Sequence, residues 1–485
     1  MRYYSANLYL LQETNYLLLK GTVLYILDKK SKIVLHIQLF EAIKKDIITN
    51  YKVGDKLPSI RKIASTYNIS KTTVESAYSQ LYAEGYVNSI AKSGYVVIDT
   101  YFDSFKTQKN VQEVQLPKEI EYLYDFFPAR LSKDSFPLKL WKRLFTKAVD
   151  ETLDFGAYHN GQGEMGLRVE IAKYLRDSRG VKCKPENIVI CGGFSDSMGL
   201  LAKLVKAKYE YFGMEHPGYH VARKVFEEYG YKLENISVDK NGICLESLES
   251  SNTKLVYITP SHQYPTGVSM PITNRLKLLE WAEREKGLII EDDYDSELSY
   301  ENRPIPSLQG LDNYDRVVYM GTFAKSLSPA LRVSYMLLPK HLLQSYKESY
   351  DAHFPRVSIT TQKTLELFMS EGHWEKHLRK IRTMNKKKHN LMRDLLKEKL
   401  GDTMEIVSQG GGLAILIHPT VVFEWEKFKE LAEKREIKLY FAKERSGGDF
   451  EAIRMGFGGF SEEEIIEAVE VFVGVWEESI KYLLE

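Results

Sequence analysis

Three short stretches carry side chains whose types and spacing suit one chemistry. In "GTFAKSLSPALR", Lys325 stands three residues after Thr322 and seven before Arg332. A lysine in that setting is either a solvated surface cation or a nucleophile that can join a carbonyl cofactor as a Schiff base. In "LIIEDDYDSE", Asp292 and Tyr294 lie two positions apart at the end of an apolar run. Read as a buried strand, that run turns both side chains to one side, at the C-terminal edge where open α/β sheets bind ligands. "VICGGFSDSMGLL" reads as strand, glycine turn and helix start, so that amides around Gly193, Phe194 and Ser195 face an anion. Pyridoxal phosphate requires all of these: a lysine for the imine, an acid (Asp292) at the ring nitrogen and a hydroxyl (Tyr294) at the phenolic oxygen. Its phosphate needs a cradle, here the amides with Thr322 and Arg332. Taken singly, a lysine near a strand end is usually solvated and a Gly-Gly pair is usually just a turn. Their order along the chain and their placement on strand ends make the case.

The elements that must position these groups are legible around them. "NIVICGG", "LVYITPS", "GLIIEDDYD" and "RVVYMGTFAK" are apolar runs separated by helical segments, which predicts an α/β domain with a mainly parallel sheet covered by helices on both faces. From about residue 371, charged helices and the strand "GGLAILIHP" predict a smaller α+β lobe, so that 122–485 forms one cofactor-binding domain with its small lobe at 371–485. A chain of 485 residues is too long for one typical domain, and its 44% hydrophobic content is ordinary for globular protein. Cys183, Cys191 and Cys244 match neither a disulfide framework nor a zinc motif, and no metal is expected. The Leu- and Tyr-rich start is interrupted by Gln12, Glu13, Thr14, Asn15 and Lys20, too soon for a membrane span. A soluble, cytoplasmic protein with no membrane partner is expected.

The net charge of +1 means that any nucleic-acid surface is local. Leu35, Leu39, Ile43 and Ile47 fall at helical spacing; Ser59 then caps a short helix, and Asn68-Ile69-Ser70 turns into a longer one that Gly85 ends. "YVNSIAKSGYVVID" alternates like a hairpin around Lys92, Ser93 and Gly94. Three helices and a hairpin over 33–99 predict a winged helix-turn-helix. Ser70, Lys71, Thr72 and Thr73 would meet the groove of double-stranded DNA, Ser59 and Arg61 would hold phosphates, and Lys92, Ser93 and Gly94 would form the wing tip. The competing reading is a helical interaction module with a charged, solvated face. Residues 100–121, polar and containing Pro117, predict a linker, and 1–32 form an extension with no assigned role.

"LPSIRKIA", "ISKTTVESAYSQLYAEGYV" and "KSGYVV" resemble the GntR winged-helix pattern, with lysine at position 71 where arginine is common. "GQGEMGLRVEIAKYLRDSRGV", "EHPGYH", "TPSHQYPTGVSM", "EDDYDSE", "GTFAKSLSPALR" and "IRMGF" resemble fold-type I aminotransferases over about 125–480. The whole chain is similar to MocR/GabR-type regulators. The resemblance implies that Lys325 is the Schiff-base lysine, that Tyr219 stacks on the pyridine ring and that Arg454 clamps an effector carboxylate. It also implies a head-to-tail homodimer on an operator with paired half-sites. A small amino acid or amine would be sensed through an external aldimine; the alternative is a working aminotransferase with an accessory DNA-binding domain. Two positions depart from relatives: Tyr264 stands where enzymes carry an asparagine at the phenolic oxygen, and Val221 where some γ-amino-acid sensors have an arginine.

Overall fold

The computed structural model describes residues 16–19, 22–91, 94–98, 121–152, 154–300, 306–350, 355–407, 410–443 and 451–480. The chain divides into two compact units, Met1–Lys118 and Glu119–Glu485. The expected linker at 100–121 lies, but for its last residue, outside the described residues, as do Lys92 and Ser93.

In the first unit, an antiparallel hairpin of β1 (Tyr16–Leu19) and β2 (Thr22–Tyr25) precedes α1 (Leu35–Asn50), α2 (Ile60–Tyr67) and α3 (Lys71–Ala83). The wing follows as β3 (Val87–Ile90) antiparallel to β4 (Gly94–Val97). The expected caps are present: the Ser59 hydroxyl accepts from the Lys62 amide at 3.2 Å, and the Ser70 hydroxyl from that of Thr73 at 3.0 Å. Between them Asn68 takes the left-handed conformation, φ 48°, which its short polar side chain tolerates. Leu39, Ile43 and Ile47 of α1 meet Val74, Tyr78 and Leu81 of α3 in one core.

That core reaches further back than helical periodicity indicates. Tyr25 is buried in it, stacks on Tyr67 with ring centroids 5.5 Å apart, and donates its hydroxyl to Asp46 at 2.8 Å. Asp46, a buried acid on α1, is thereby partnered from outside the helical bundle.

In the second unit the strands run β5 (Tyr124–Asp125), β6 (Ile188–Cys191), β7 (Tyr211–His216), β8 (Lys232–Asp239), β9 (Gly242–Ile243), β10 (Leu255–Ile258), β11 (Leu288–Asp292), β12 (Val317–Thr322) and β13 (Ser334–Leu337). Apart from β5, these form one sheet in the order β6-β13-β12-β11-β10-β7-β8-β9. From β12 to β8 all neighbours are parallel, whereas β13 runs antiparallel to both β12 and β6. Strand β6 shows why the runs read as continuously apolar: Ile188 and Ile190 enter one core, Val189 and Cys191 the other. Helices α4 (Leu138–Thr152), α5 (Met165–Arg179) and α6 (Phe194–Val205) precede or follow β6. Beyond the long helix His373–Leu400, β14 (Met404–Ile406), β15 (Ala414–Pro419), β17 (Phe441–Lys443) and β18 (Glu451–Gly456) make an antiparallel sheet ordered β14-β15-β18-β17, while β16 (Ile437–Lys438) pairs with β5. Among the described residues no helix is long and apolar enough to cross a membrane.

Candidate functional site

The second unit contains a cleft of about 1510 Å³ over the C-terminal ends of β11 and β12 and the start of α6. Lys325, Asp292, Tyr294, Tyr219, Tyr264, Gly193, Phe194, Thr322, Arg332 and Arg454 all line it. Residues scattered over more than 260 positions of sequence thus converge where parallel strands end, the place that α/β sheets offer to ligands.

Lys325 is set in the turn after β12. Burial pulls its ammonium down to about 8, although the Asp295 and Asp292 carboxylates favour its charge. Asp292, the last residue of β11, is 6% exposed. Burial pushes its carboxyl up to about 7 against the hydrogen bond that Tyr257 donates to it at 2.6 Å. Tyr257 is opposite Ile290 in the β10–β11 register, so it shares a face with Asp292, two residues on.

The five acids of "EDDYDSE" divide between site and scaffold. The Glu291 carboxylate accepts the Leu308 and Gln309 amides at the start of a short helix. Asp293 pairs with Arg179 at 2.7 Å and accepts the Tyr319 hydroxyl at 2.6 Å. Burial opposes its ionisation, but Arg179 and Tyr319 hold it below the usual carboxylate range. Glu297 takes the Tyr174 hydroxyl. Asp292 and Asp295 alone among them line the cleft, and Asp295 holds the His262 ring at 2.7 Å. Tyr294 falls just beyond the strand rather than on it, because β11 ends at Asp292; its hydroxyl donates to the His262 carbonyl at 3.0 Å.

At the start of α6, Gly193 has φ +101°, and a Cβ there would lie 2.3 Å from the Arg332 guanidinium. Only glycine lets this arginine rest against the backbone at the start of α6. Two local placements qualify the expected amide cradle. The Gly193 amide already donates to the Ser334 hydroxyl at 3.0 Å, because the β6–β13 register sets Ser334 opposite Cys191. Ser195 is exposed on the first turn of α6 and is not among the lining residues. The Phe194 and Ser195 amides belong to the first turn, whose donors have no partner within the helix. Thr322 closes β12, its hydroxyl accepting the Ala324 amide at 3.1 Å.

Over the opposite wall, the Tyr219 ring meets Phe194 and Tyr264 edge-on, each at 5.1 Å. Arg454, on β18, donates to the Tyr264 hydroxyl at 2.5 Å and lies 4.5 Å from that ring's centroid. The residues present fit pyridoxal phosphate: a buried amine of lowered basicity, an oriented acid, an aromatic wall, and an arginine seated on a glycine at a helix start. Tyr257, His262, Asp295 and Glu215, buried beside Thr259, also line the cleft; His262, Asp295 and Glu215 sit inside the family motifs quoted above, which give them no role, and Tyr257 lies outside those motifs.

In the first unit, Ser59, Arg61, Ser70, Lys71 and Thr72 are exposed, Thr73 is half-buried, and Gly94 is exposed at the start of β4. The polar start of α3 is therefore exposed, as is Arg61 on α2.

Residues 35–97 match the family model described as bacterial regulatory proteins, gntR family, and residues 131–472 match aminotransferase class I and II. The chain is 36% identical over 459 residues to YdeL, an uncharacterized HTH-type transcriptional regulator of Bacillus subtilis (strain 168), covering 93% of this chain and 98% of that protein. It is 32% identical over 433 residues to the probable rhizopine catabolism regulatory protein MocR of Rhizobium meliloti, covering 85% and 87% respectively. Among solved structures, the kynurenine aminotransferase of Pyrococcus horikoshii superposes with a TM-score of 0.67 at 22% identity over 75% of this chain and 93% of that one. The multiple substrate aminotransferase of Thermococcus profundus gives 0.66 at 23% identity over 78% and 99%. With both halves matched in one order and relatives matched almost end to end, the chain belongs to the MocR/GabR-type family of HTH-type transcriptional regulators, a gntR winged helix joined to a class I and II aminotransferase domain.

Proposed function

We propose that the protein is a DNA-binding transcriptional regulator that holds pyridoxal phosphate and responds to a small amino acid or amine. The observation that supports this reading is a cleft whose residues fit the cofactor, on the same chain as a winged helix with the polar start of α3 exposed. When bound, pyridoxal phosphate supplies an aldehyde carbon that takes up primary amines reversibly. Lys325, of lowered basicity, presents the resident amine, and an incoming effector amine competes with it. Asp292, oriented by Tyr257, faces the ring nitrogen, and Tyr294 faces the phenolic oxygen. Arg332, Thr322 and the first turn of α6 take the phosphate. Arg454 takes an effector's carboxylate, a task suited to guanidinium.

On the DNA side, Lys71, Thr72 and Thr73 at the start of α3 enter the major groove while Arg61 and Ser59 hold phosphates. Two copies on paired half-sites about one helical turn (~34 Å) apart give the duplex its full contact. The effector changes occupancy only by binding two arrangements of the protein differently. The test is fluorescence anisotropy of the holoprotein on duplexes selected from a random pool, with and without an amino-acid panel. Selection of no sequence, or affinity unaffected by every amine that alters the cofactor's absorbance, rejects the reading.

A second reading, turnover as an aminotransferase, draws support from Lys325: an amine near 8 is suited to moving protons at neutral pH. Repeated turnover of an amino acid with a keto acid would favour it.

A further inference from the structure

Arg454, on the wall of the cleft, is partnered by a neutral group. Among the described residues no acid pairs with its guanidinium; a neutral phenol, Tyr264, accepts its Nη1 hydrogen at 2.5 Å, and the Tyr264 ring lies against the guanidinium at 4.5 Å. Tyr264 is itself held in place. Its amide donates to the Thr259 hydroxyl at 3.0 Å, its carbonyl accepts from Gln263 at 2.6 Å, and its ring meets that of Tyr219 edge-on. A partly buried cation in a cleft needs a hydrogen-bond acceptor, and here a tyrosine side chain supplies it from within the ligand space.

We propose that the Tyr264 hydroxyl is a displaceable cover on Arg454, making Tyr264 the residue that sets how strongly the site favours amino acids over simple amines. This rests on the functional reading above, in which Arg454 receives the carboxylate. A carboxylate offers two charged acceptor oxygens to the guanidinium fork and outcompetes a single neutral phenol oxygen. The phenol must nevertheless be released from Arg454 first, and that loss is subtracted from every carboxylate's affinity. An amine without a carboxylate has nothing to place on Arg454, so it leaves the Tyr264–Arg454 contact in being and incurs no such cost. The hydroxyl thus narrows the advantage of amino acids over amines.

The test titrates the holoprotein by visible absorbance with matched probes: L-alanine against ethylamine, and L-leucine against 3-methylbutylamine. The measured quantity is the ratio of amine Kd to amino-acid Kd in wild type, Tyr264→Phe and Arg454→Gln. Tyr264→Phe keeps the ring over the guanidinium and removes only the acceptor. It is expected to raise the ratio about tenfold, the equivalent of one hydrogen bond to a charged group. Arg454→Gln is expected to bring the ratio towards one whatever stands at 264. An unchanged or lowered ratio in Tyr264→Phe, with Arg454→Gln still abolishing the preference, overturns the cover alone; a lowered ratio would mean that the hydroxyl helps to hold the carboxylate. A preference untouched by Arg454→Gln overturns both the cover and the carboxylate role of Arg454. A wild-type spectrum unmoved by all four probes overturns the sensing function itself.

Discussion

Asp292→Asn should make the cofactor-free protein more stable and the cofactor-bound protein weaker, opposite effects from one oxygen-to-nitrogen change. Without cofactor, burial raises the folded-state carboxyl of Asp292 from 3.8 to about 7. A folded pKa above the unfolded one means that the folded state retains the proton longer. The group's contribution is therefore fully favourable below pH 4 and is lost as pH rises towards 7. The loss at pH 8 is ~4 kcal/mol, from about 1.4 kcal/mol for each pH unit between the two values. Asparagine is neutral throughout and still accepts the Tyr257 hydroxyl, so it escapes this loss. Denaturant unfolding of the two apoproteins should give equal stability near pH 4 and a gap widening to as much as ~4 kcal/mol in favour of the variant at pH 8. Pyridoxal phosphate should reverse the order, because only the carboxylate stabilises a protonated ring nitrogen. A variant less stable than wild type at pH 8 without cofactor, or equal to it in cofactor affinity, would refute the placement of Asp292.

Borohydride reduction of the yellow holoprotein should leave the chromophore on the peptide containing Lys325, and label on another lysine would reject the assignment. Because the neutral amine is the nucleophile and burial sets Lys325 at about 8, reloading of apoprotein with cofactor should accelerate with pH through a midpoint near 8 rather than above 10, as followed by stopped-flow absorbance. Tyr257→Phe removes the hydrogen bond that favours the ionised form of Asp292 and should weaken cofactor binding about tenfold, measured by equilibrium dialysis. Arg61→Ala and Lys71→Ala should each reduce the salt dependence of DNA binding by roughly one log unit per log unit of salt, one phosphate contact apiece. Ser70→Ala should destabilise the winged helix by about 1 kcal/mol through loss of the cap on α3, seen in thermal unfolding.

What could be read in the sequence was local. Ser59 and Ser70 as caps, the turn at Asn68, and the strands carrying Asp292 and Thr322 all follow from neighbours a few positions away. Lys325, Asp292 and Arg332 were legible because a fixed order of motifs accompanies them. Tyr257 was not, because its approach to Asp292 depends on the register between β10 and β11, which a linear chain does not display. The same holds for the acids of "EDDYDSE". Burial alone does not tell Asp293, neutralised by Arg179 from 114 residues away, from Asp292, which faces the cleft. The acceptor of the Gly193 amide is hidden for a like reason: Ser334 arrives on an antiparallel strand 141 residues later. Tyr25 gives no signal in the sequence because the segment preceding α1 lacks helical period, and only the buried Asp46 reveals a need for it.

The tie between the segment before α1 and the winged helix has a practical side. The Lys29 amine donates to the Asn68 carbonyl at 3.1 Å, within the very bend that aims α3, while Tyr25 is anchored two ways to Tyr67 and Asp46. A fragment trimmed to the start of α1 would strip this brace and leave a lone carboxylate in the domain's interior with only Asn50 for company. An isolated winged helix intended for binding or crystallographic work should therefore begin upstream of Thr22, and a fusion tag belongs at the far terminus.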